Sequence, residues 1–205
     1  MAPKVSLTRV TQQEIGEAVR TLVDAFTGDP LMEYLFPEHR ERPEDLSRFF
    51  RVNLEYAVMV GEIYAAPCMA GISVWAFPKD VGRPVLSRQE DPRLRLEHIY
   101  DEGTYRRISN LSRYFDRLHR EMLAGSYFYL MFLGVISTQQ GKGTGSQLIR
   151  PLLERADLKK APCLLDTMNE RDLAFYRKHG FEVILEHMVC KDGPLTWTML
   201  RKPQE

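Results

Sequence analysis

Residues 127–156 read YFYLMFLGVISTQQGKGTGSQLIRPLLERA, and the rest of the chain is interpreted around this stretch. Residues 127–135 are an apolar and aromatic run whose length and composition predict a strand buried on both faces. A glycine-rich segment, residues 140–146, follows after a short turn. Apolar residues then recur at helical spacing, which predicts a helix beginning near Gly143. The residues with this spacing are Leu148, Ile149, Leu152, Leu153 and Ala156.

The glycine-rich segment 140–146 has the features of a phosphate-binding loop. The first amides of a helix lack hydrogen-bond partners, and the helix dipole places positive potential at the same end. Glycines carry no side chain that would keep a phosphate away from those amides. The order of strand, loop and helix therefore predicts a site for a pyrophosphate group.

Two other phosphate-binding patterns fit this segment less well. A Walker loop needs a Gly five positions before a Gly-Lys-Ser/Thr triplet, and the sequence has none. A Rossmann fingerprint is closer, because three alternate glycines precede a helix and Asp166 ends the next apolar run about 20 residues on. Its third glycine is one position early, however, and residues 136–139 separate the strand from the loop. A Rossmann-type nucleotide-binding domain and a plain solvent loop stay open as alternatives.

Two motifs in the second half of the chain resemble those of the GNAT N-acetyltransferases. The spacing Gln140-x-x-Gly143-x-Gly145 resembles their acetyl-CoA loop, and FYRKHGF at residues 175–181, with Asn169 seven residues before Tyr176, resembles their second conserved segment. QGKGTGS, Pro151, HGFEV and the terminal TWTMLRKP are similar to the puromycin N-acetyltransferase branch. The strong resemblance covers residues 127–203, and VRTLVDAF and DPLMEYLFP give a weaker one near the start.

The resemblance implies a fold and an activity. The implied fold is α/β (α+β), a mixed and mostly antiparallel central sheet of six to seven strands flanked by helices, in a single domain over residues 1–205. The implied activity is transfer of an acetyl group from acetyl-CoA to a primary amine of a small molecule, directly through a ternary complex. A non-catalytic acyl-CoA-binding sensor is the alternative that keeps the same loop.

The resemblance also implies where acetyl-CoA binds. Its pantetheine arm would pair with the central strand at Leu133, Gly134 and Val135, where Gly134 permits close backbone approach. An amide there would polarise the thioester carbonyl. Asn169 and Tyr176 would complete the contacts. The loop residues implied to hold the pyrophosphate are Gln140, Gly141, Lys142, Gly143, Thr144, Gly145 and Ser146.

Two residues are candidates for proton transfer. Tyr176 matches the family tyrosine that protonates the leaving thiolate, and a half-buried core tyrosine is the alternative. Many GNAT enzymes carry a glutamate on the central strand as the base, but residues 127–135 contain no carboxylate. Asp166, at the end of the next strand, is the best placed acid, and the puromycin branch has a Glu there. A loop-capping role for Asp166 and deprotonation by water are the alternatives.

Candidate acceptor contacts are Tyr34, Phe36, Trp75 and Tyr129. The apolar segment 31–37 is interpreted either as a wall of the acceptor pocket or as a packed connector, and Trp75 either as a pocket or as a core residue. Residues 96–123 return to helical periodicity, with a break expected at Gly103. This insertion precedes the central strand, where the family often sets acceptor specificity. Its histidines, His98 and His119, are expected to be solvated or capping.

Local signals place several element boundaries. Thr11 and Glu14 have capping-box spacing, and Asn169 is a predicted N-cap. Gly180 stands where a left-handed helix end is expected. Pro151 should kink its helix. Strands are also predicted over residues 5–10, 61–66, 71–77, 162–166, 181–189 and 195–200, and a loop over residues 79–95.

Composition narrows the class of protein. Lys plus Arg equals Asp plus Glu at 28 each, and the chain has no basic tract, so a nucleic-acid partner is not expected. Cys68, Cys163 and Cys190 lack metal-ligand spacing and are predicted to be buried free thiols in a reducing compartment. No metal constellation appears. No apolar run reaches 18 residues, so we expect no membrane partner and a cytoplasmic protein, either a monomer or a homodimer.

Overall fold

The computed structural model describes residues 6–38, 42–77, 86–87, 89–189 and 193–204, and the strands within these ranges form one seven-stranded sheet. The strand order is β1-β2-β3-β4-β5-β7-β6, and β4 and β5 form the one parallel pair among six neighbouring pairs. A Rossmann-type sheet is mostly parallel, so that alternative is not supported. The strands are β1 Thr8–Arg9, β2 Gly61–Ala65, β3 Gly71–Ala76, β4 Phe128–Val135, β5 Cys163–Thr167, β6 Glu182–Met188 and β7 Leu195–Arg201.

Helices cover both faces of the sheet and divide the core into two clusters. The first cluster packs α1, α2, α3 and α5 on one face and includes Leu22, Phe50 and Ile72. The second packs α6 and α7 on the other face and includes Ile149 and Leu165. The α-helices are α1 Ile15–Ala25, α2 Pro30–Leu35, α3 Arg42–Val60, α4 Leu96–Ile99, α5 Glu102–Met122, α6 Thr144–Leu158 and α7 Leu173–Lys178.

The parallel strands β4 and β5 separate along their length. Their pairing runs from Phe128 opposite Cys163 to Leu130 opposite Leu165 and stops there. On the other edge of β4, the register with β3 shifts so that Met131 has no partner. A bulge of this kind bends a strand. Beyond Leu130 the two strands therefore diverge, and a cleft opens between them.

This cleft corrects the expectation that the central strand is buried on both faces. Tyr129, residues 131–133 and Val135 are only half-buried. A strand that lines a cleft keeps part of its surface open even though its composition is that of a core strand. The run of apolar residues was a sound signal for a strand, but it could not distinguish a core from the wall of a cavity.

Most predicted helix boundaries are confirmed. The backbone amide of Thr11 donates to Glu14 at 2.9 Å, which forms the capping box. The side chain of Asn169 accepts from the amide of Arg171 at 3.2 Å. Gly143 is the N-cap of α6, and Gly180 has a left-handed φ of 83° at the end of α7.

Other local expectations need correction. Gly103 does not break the insertion, because it lies inside α5; the break falls at Tyr100, which is extended, and at Asp101, which caps α5 by accepting from Thr104. Within the predicted loop 79–95, residues 92–95 form a 3-10 turn, and residues 79–85 and 88 lie outside the described residues.

The cysteines also differ from the expectation of three buried thiols. Cys68 is exposed, because the turn between β2 and β3 carries it outward with a left-handed φ of 55°. Cys163 is buried in β5 as predicted, and Cys190 lies outside the described residues. Within the described ranges no helix combines the length and apolarity needed to cross a membrane.

Candidate functional site

A cavity of about 690 Å³ opens where β4 and β5 diverge. The loop before α6, the start of α7 and the segment around Asp29 that joins α1 to α2 form its other walls. Eleven of the twelve residues predicted to bind acetyl-CoA line it: Leu133, Gly134, Val135, Gln140, Gly141, Gly143, Thr144, Gly145, Ser146, Asn169 and Tyr176. A second cavity, of about 710 Å³ beside Thr8, Glu17 and Cys68, contains none of the predicted site residues.

Lys142 is the one residue predicted to bind acetyl-CoA that does not line the cavity. It is exposed, and its Nζ donates to the carbonyl of Thr138 at 2.8 Å. The lysine side chain therefore bonds back to the turn that precedes the loop. Its part in binding the pyrophosphate stays a prediction without geometric support.

The glycine loop presents an open backbone at the start of a helix. Gly141 and Gly143 have φ values of 73° and 87°, and no heavy atom stands within 4 Å of where a Cβ on either would lie. Gly145 has a different role, since a Cβ there would stand 3.3 Å from the ring of Phe175. Two glycines thus give the loop its turn and the third lets α7 pack closely. The first residues of α6, Thr144, Gly145 and Ser146, line the cavity. The unpaired amides at a helix start suit an anionic phosphate group.

Side chains hold the loop in place. Ser146 Oγ and His179 Nε2 are 2.9 Å apart, and Gln140 Nε2 donates to the carbonyl of Val135 at 3.1 Å. Burial, followed by nearby cationic groups, lowers the pKa of His179, so the ring is neutral at pH 7. His179 was not predicted as a site residue. It lies in the HGF motif, but nothing in the local sequence shows that it meets Ser146.

The half of β4 beyond Leu130 has no strand on its β5 side within the described residues. This edge is available for an extended ligand arm. Gly134 lies in this half, but its glycine has another cause: a Cβ would stand 2.9 Å from the side chains of both Leu22 and Ala25. The close approach that Gly134 permits is that of α1 to the sheet, not that of a ligand.

Tyr176 lies on the cavity wall and is 8 % exposed. Burial, with the nearby carboxylates of Asp172 and Asp29, raises the pKa of its hydroxyl. The phenol therefore stays protonated at neutral pH and is able to donate a proton. Its ring packs against Phe175 and Phe181, with centroids 5.2 and 5.9 Å away, so Tyr176 is both a core residue and a cavity residue.

Two cavity carboxylates were not predicted, Asp29 and Asp172. Asp29 caps α2 by accepting from the amides of Leu31 and Met32 at 3.0 and 3.3 Å, and burial raises its pKa to about 6. Burial also raises the pKa of Asp172. The Asp-Pro pair in DPLMEYLFP signals a helix cap, but a cap is usually a surface feature, and nothing local shows that this one faces a cavity.

Asp166 lies on β5 at the inner end of the cavity, and its side chain is 2 % exposed. Its carboxylate accepts from the hydroxyls of Thr198 and Tyr129 at 2.6 and 3.1 Å, and lies 2.8 Å from His119 Nε2. The contacts described for it are with side chains, so the loop-capping alternative gains no support. His119 is buried rather than solvated, which corrects the expectation, whereas His98 is exposed as expected.

The four predicted acceptor residues do not line this cavity, although Leu31 and Met32 from the predicted segment 31–37 do. Phe36 is buried in the first core cluster, 5.8 Å from the ring of Phe49 and 5.4 Å from that of Tyr100, and Tyr34 packs against the same cluster. Trp75 is fully buried in the second cluster, and Tyr129 contacts Asp166. Their role as acceptor contacts stays a prediction that this geometry does not support. No metal-binding group of His, Cys, Asp and Glu occurs among the described residues.

Comparisons with known proteins agree with this architecture. Residues 111–183 match the model of the acetyltransferase (GNAT) domain. The chain is 27 % identical over 207 residues to an uncharacterized N-acetyltransferase of Schizosaccharomyces pombe, covering 96 % of this chain and 83 % of the relative. These findings support a GNAT acetyltransferase and, more generally, an N-acetyltransferase; they do not single out the puromycin branch.

Solved structures share the fold across nearly the whole chain. A structure described as histone acetyltransferase HPA2 and related acetyltransferase from Corynebacterium glutamicum aligns with a TM-score of 0.66 at 20 % identity, covering 98 % of both chains. Polyamine N-acetyltransferase of Drosophila melanogaster aligns with a TM-score of 0.62 at 15 % identity, covering 97 % of this chain and 99 % of the other. The predicted fold, a mostly antiparallel mixed sheet flanked by helices, is confirmed.

Proposed function

We propose that this chain, whose sheet and helices have the GNAT arrangement, transfers an acetyl group from acetyl-CoA to the primary amine of a small molecule. One observation carries the proposal. A single cavity joins an open helix N-terminus, an unpaired length of β4 and the protonated phenol of Tyr176. An acyl-CoA donor needs these three features in that order, for its pyrophosphate, its pantetheine arm and its sulfur.

The donor half of the site would work by positioning. Backbone amides at the start of α6 would hold the pyrophosphate, and the open edge of β4 beyond Leu130 would pair with the pantetheine arm. This pairing would place the thioester between β4 and β5. A β4 amide near Gly134 is the candidate to stabilise the oxyanion as the amine attacks the carbonyl.

The acceptor half would carry out the proton transfers. Asp166 would take one proton from the ammonium, which frees the nitrogen lone pair for attack on the thioester carbon. The C–N bond forms, the tetrahedral intermediate collapses, and the C–S bond breaks. Tyr176 would protonate the departing thiolate, and the second proton released from nitrogen would restore the phenol. The products are the amide, CoA thiol and one proton, which Asp166 returns to solvent.

Binding and turnover test the two halves separately. Titration calorimetry is expected to show binding of acetyl-CoA and no binding of NADH. Release of free thiol should then follow when acetyl-CoA is mixed with members of a panel of primary amines. Puromycin belongs in the panel because of the sequence resemblance at residues 140–146 and 179–183. Binding of NADH in place of acetyl-CoA would overturn the proposal, and acetyl-CoA binding without thiol release for any amine would favour the non-catalytic sensor.

A further inference from the structure

Asp166 is the centre of a hydrogen-bond network that spans four strands and one helix. His119 from α5 and Tyr129 from β4 both contact its Oδ2, at 2.8 and 3.1 Å. Thr198 from β7 donates to Oδ1 at 2.6 Å. The network continues outward, since Nε2 of His187 on β6 lies 3.1 Å from the Thr198 hydroxyl and Tyr114 OH lies 2.8 Å from Nδ1 of the same ring.

Because Asp166 acts as an acceptor, the direction of every hydrogen bond in this network is determined. An ionised Asp166 only accepts, so Thr198, Tyr129 and the Nε2–H of His119 must all donate to it. Because the Thr198 hydrogen is used in this way, the Nε2–H of His187 donates to Thr198. Nδ1 of His187 is then the acceptor for the hydroxyl of Tyr114. All of these directions lead to the Asp166 carboxylate as the final acceptor.

Asp166 is the member of this network that lines the cavity. The other five members of the network lie behind Asp166 and are not among the residues that line the cavity: Tyr114, His119, Tyr129, His187 and Thr198. A carboxylate has about four lone-pair sites, so one remains for a further group after these three donors are bound. We propose that these five side chains are positioning residues for the acceptor base: they fix the orientation of the Asp166 carboxylate beside the cavity, and α5 completes the site by supplying two of them. This inference rests on the proposed function, in which Asp166 deprotonates the amine.

The network connects α5 to the sheet. Tyr114 and His119 lie on this helix, which is otherwise attached to the first core cluster through residues such as Ile108 and Leu111. The side chains of His119 and Asp166 are 6 % and 2 % exposed, so their contact is shielded from solvent. Hydrogen bonds to a buried charge are stronger than those between neutral groups, and losing one disfavours the charged form.

Neighbouring groups keep the other members in one protonation state. Burial raises the pKa of Tyr129, with a further contribution from Asp166, and raises the pKa of Tyr127 to about 12. Burial lowers the pKa of His187, so the ring is neutral at pH 7 as the donor pattern requires. The other charged groups around the network are Asp116 and Arg120 near Tyr127, and Asp29, Arg171, Asp172 and Lys178 on the cavity lining.

Two threonines on one strand provide a matched experiment. Thr196 and Thr198 are both fully buried on the same face of β7, but Thr196 donates to the carbonyl of Pro194 and lies outside the network. Thr198→Val should lower kcat/KM for the amine about tenfold and move the acid limb of its pH profile upward by about one unit, because one donor to the carboxylate is lost. Acetyl-CoA affinity should not change. Thr196→Val should leave the profile in place, and Thr198→Ser should restore it.

A second pair of variants answers the same question if Thr198→Val does not fold. His119→Gln retains an N–H that is able to reach Asp166, whereas His119→Leu does not. Activity at pH 7 should be largely kept in the first variant and lost in the second. A folded Thr198→Val or His119→Leu protein with the wild-type pH profile would show that the network serves only stability. Absence of thiol release from the wild-type protein would instead overturn the proposed function, before any variant is made.

Discussion

The proposed acetyl-CoA side and the proposed acceptor side of the cavity are built in different ways. Nearly all of the donor side comes from two continuous stretches, residues 133–146 and 169–176. The proposed acceptor side depends on Asp166 and the network behind it, whose residues come from α5, β4, β5, β6 and β7. A site made of consecutive residues leaves a motif in the sequence. A site made of single residues from distant elements leaves almost none.

The largest expected effect tests the sequence-based acceptor assignment. Replacing Phe36 by Ala should destabilise the protein by about 3–5 kcal/mol, because its ring fills the core between Phe49 and Tyr100. Urea unfolding measures this loss. If the sequence-based prediction is right instead, Phe36→Ala and Tyr34→Ala would raise KM for the amine, spare that for acetyl-CoA and leave the unfolding midpoint near its wild-type value. That result would move the acceptor pocket away from Asp166.

Tyr176, which lines the cavity, is the proposed proton donor to the leaving thiolate. Tyr176→Phe removes the hydroxyl and keeps the ring between Phe175 and Phe181. Loss of the proton donor should lower kcat by roughly 10²-fold. The affinity for acetyl-CoA, measured by calorimetry, should change little. Unchanged kcat in a folded Tyr176→Phe protein would leave Tyr176 as a core residue alone.

The donor loop offers a pair of variants that differ in charge alone. Gly143 has a φ of 87°, so any side chain there is strained, and Asn and Asp tolerate this conformation about equally. Acetyl-CoA at a hundredfold excess over its dissociation constant should stabilise the wild-type protein by about 2.7 kcal/mol. Gly143→Asp should lose this stabilisation through repulsion of the phosphates, and Gly143→Asn should keep part of it. Equal thermal shifts in the two variants would mean that no phosphate lies at this loop.

The sequence predicted the architecture well because its signals are local. Alternation, helical spacing and caps at Thr11, Asn169 and Gly180 depend on residues a few positions apart, and the structure confirms them. The loop 140–146 was found for the same reason. The glycine at position 134 shows the limit of such inference: the residue matters, but the contact that requires it comes from α1, more than 100 residues earlier.

The proposed acceptor side could be predicted only in part, because side-chain contacts across the sheet cannot be inferred from residues that are neighbours in the sequence. Asp166 was predicted as a catalytic residue from its place at the end of a strand; it lines the cavity, and its catalytic role stays a prediction. Its partners His119, Tyr129 and Thr198 were not connected to it, since only the folded sheet brings them together. A histidine on a charged helix looks solvated in the sequence. Burial of His119 follows from how α5 docks, which periodicity does not determine.

The smallest expected effect compares two aspartates that cap helices, one in the cavity and one on the surface. Burial raises the pKa of Asp29 to about 6, whereas hydrogen bonds from Thr104 lower the pKa of Asp101. A raised pKa means that Asp29 stabilises the folded state most below its unfolded pKa of about 4 and that this contribution is lost as pH rises through about 6. The lowered pKa gives Asp101 the opposite sign: its contribution is present above about 4 and is lost as pH falls.

Substitution by Asn separates these signs, because Asn caps a helix as well as Asp does. Asp29→Asn should become more stable than the wild type between pH 4 and 6 and remain so at pH 8, by about 1–2 kcal/mol after allowance for solvent at a half-buried side chain. Asp101→Asn should be slightly less stable than the wild type at pH 8 and equal to it near pH 3. Urea unfolding of the three proteins across this range measures both differences. A destabilised Asp29→Asn protein at pH 8 would show that the charged form of Asp29 is the favourable one, and that this carboxylate resembles an ordinary surface cap rather than a desolvated cavity group.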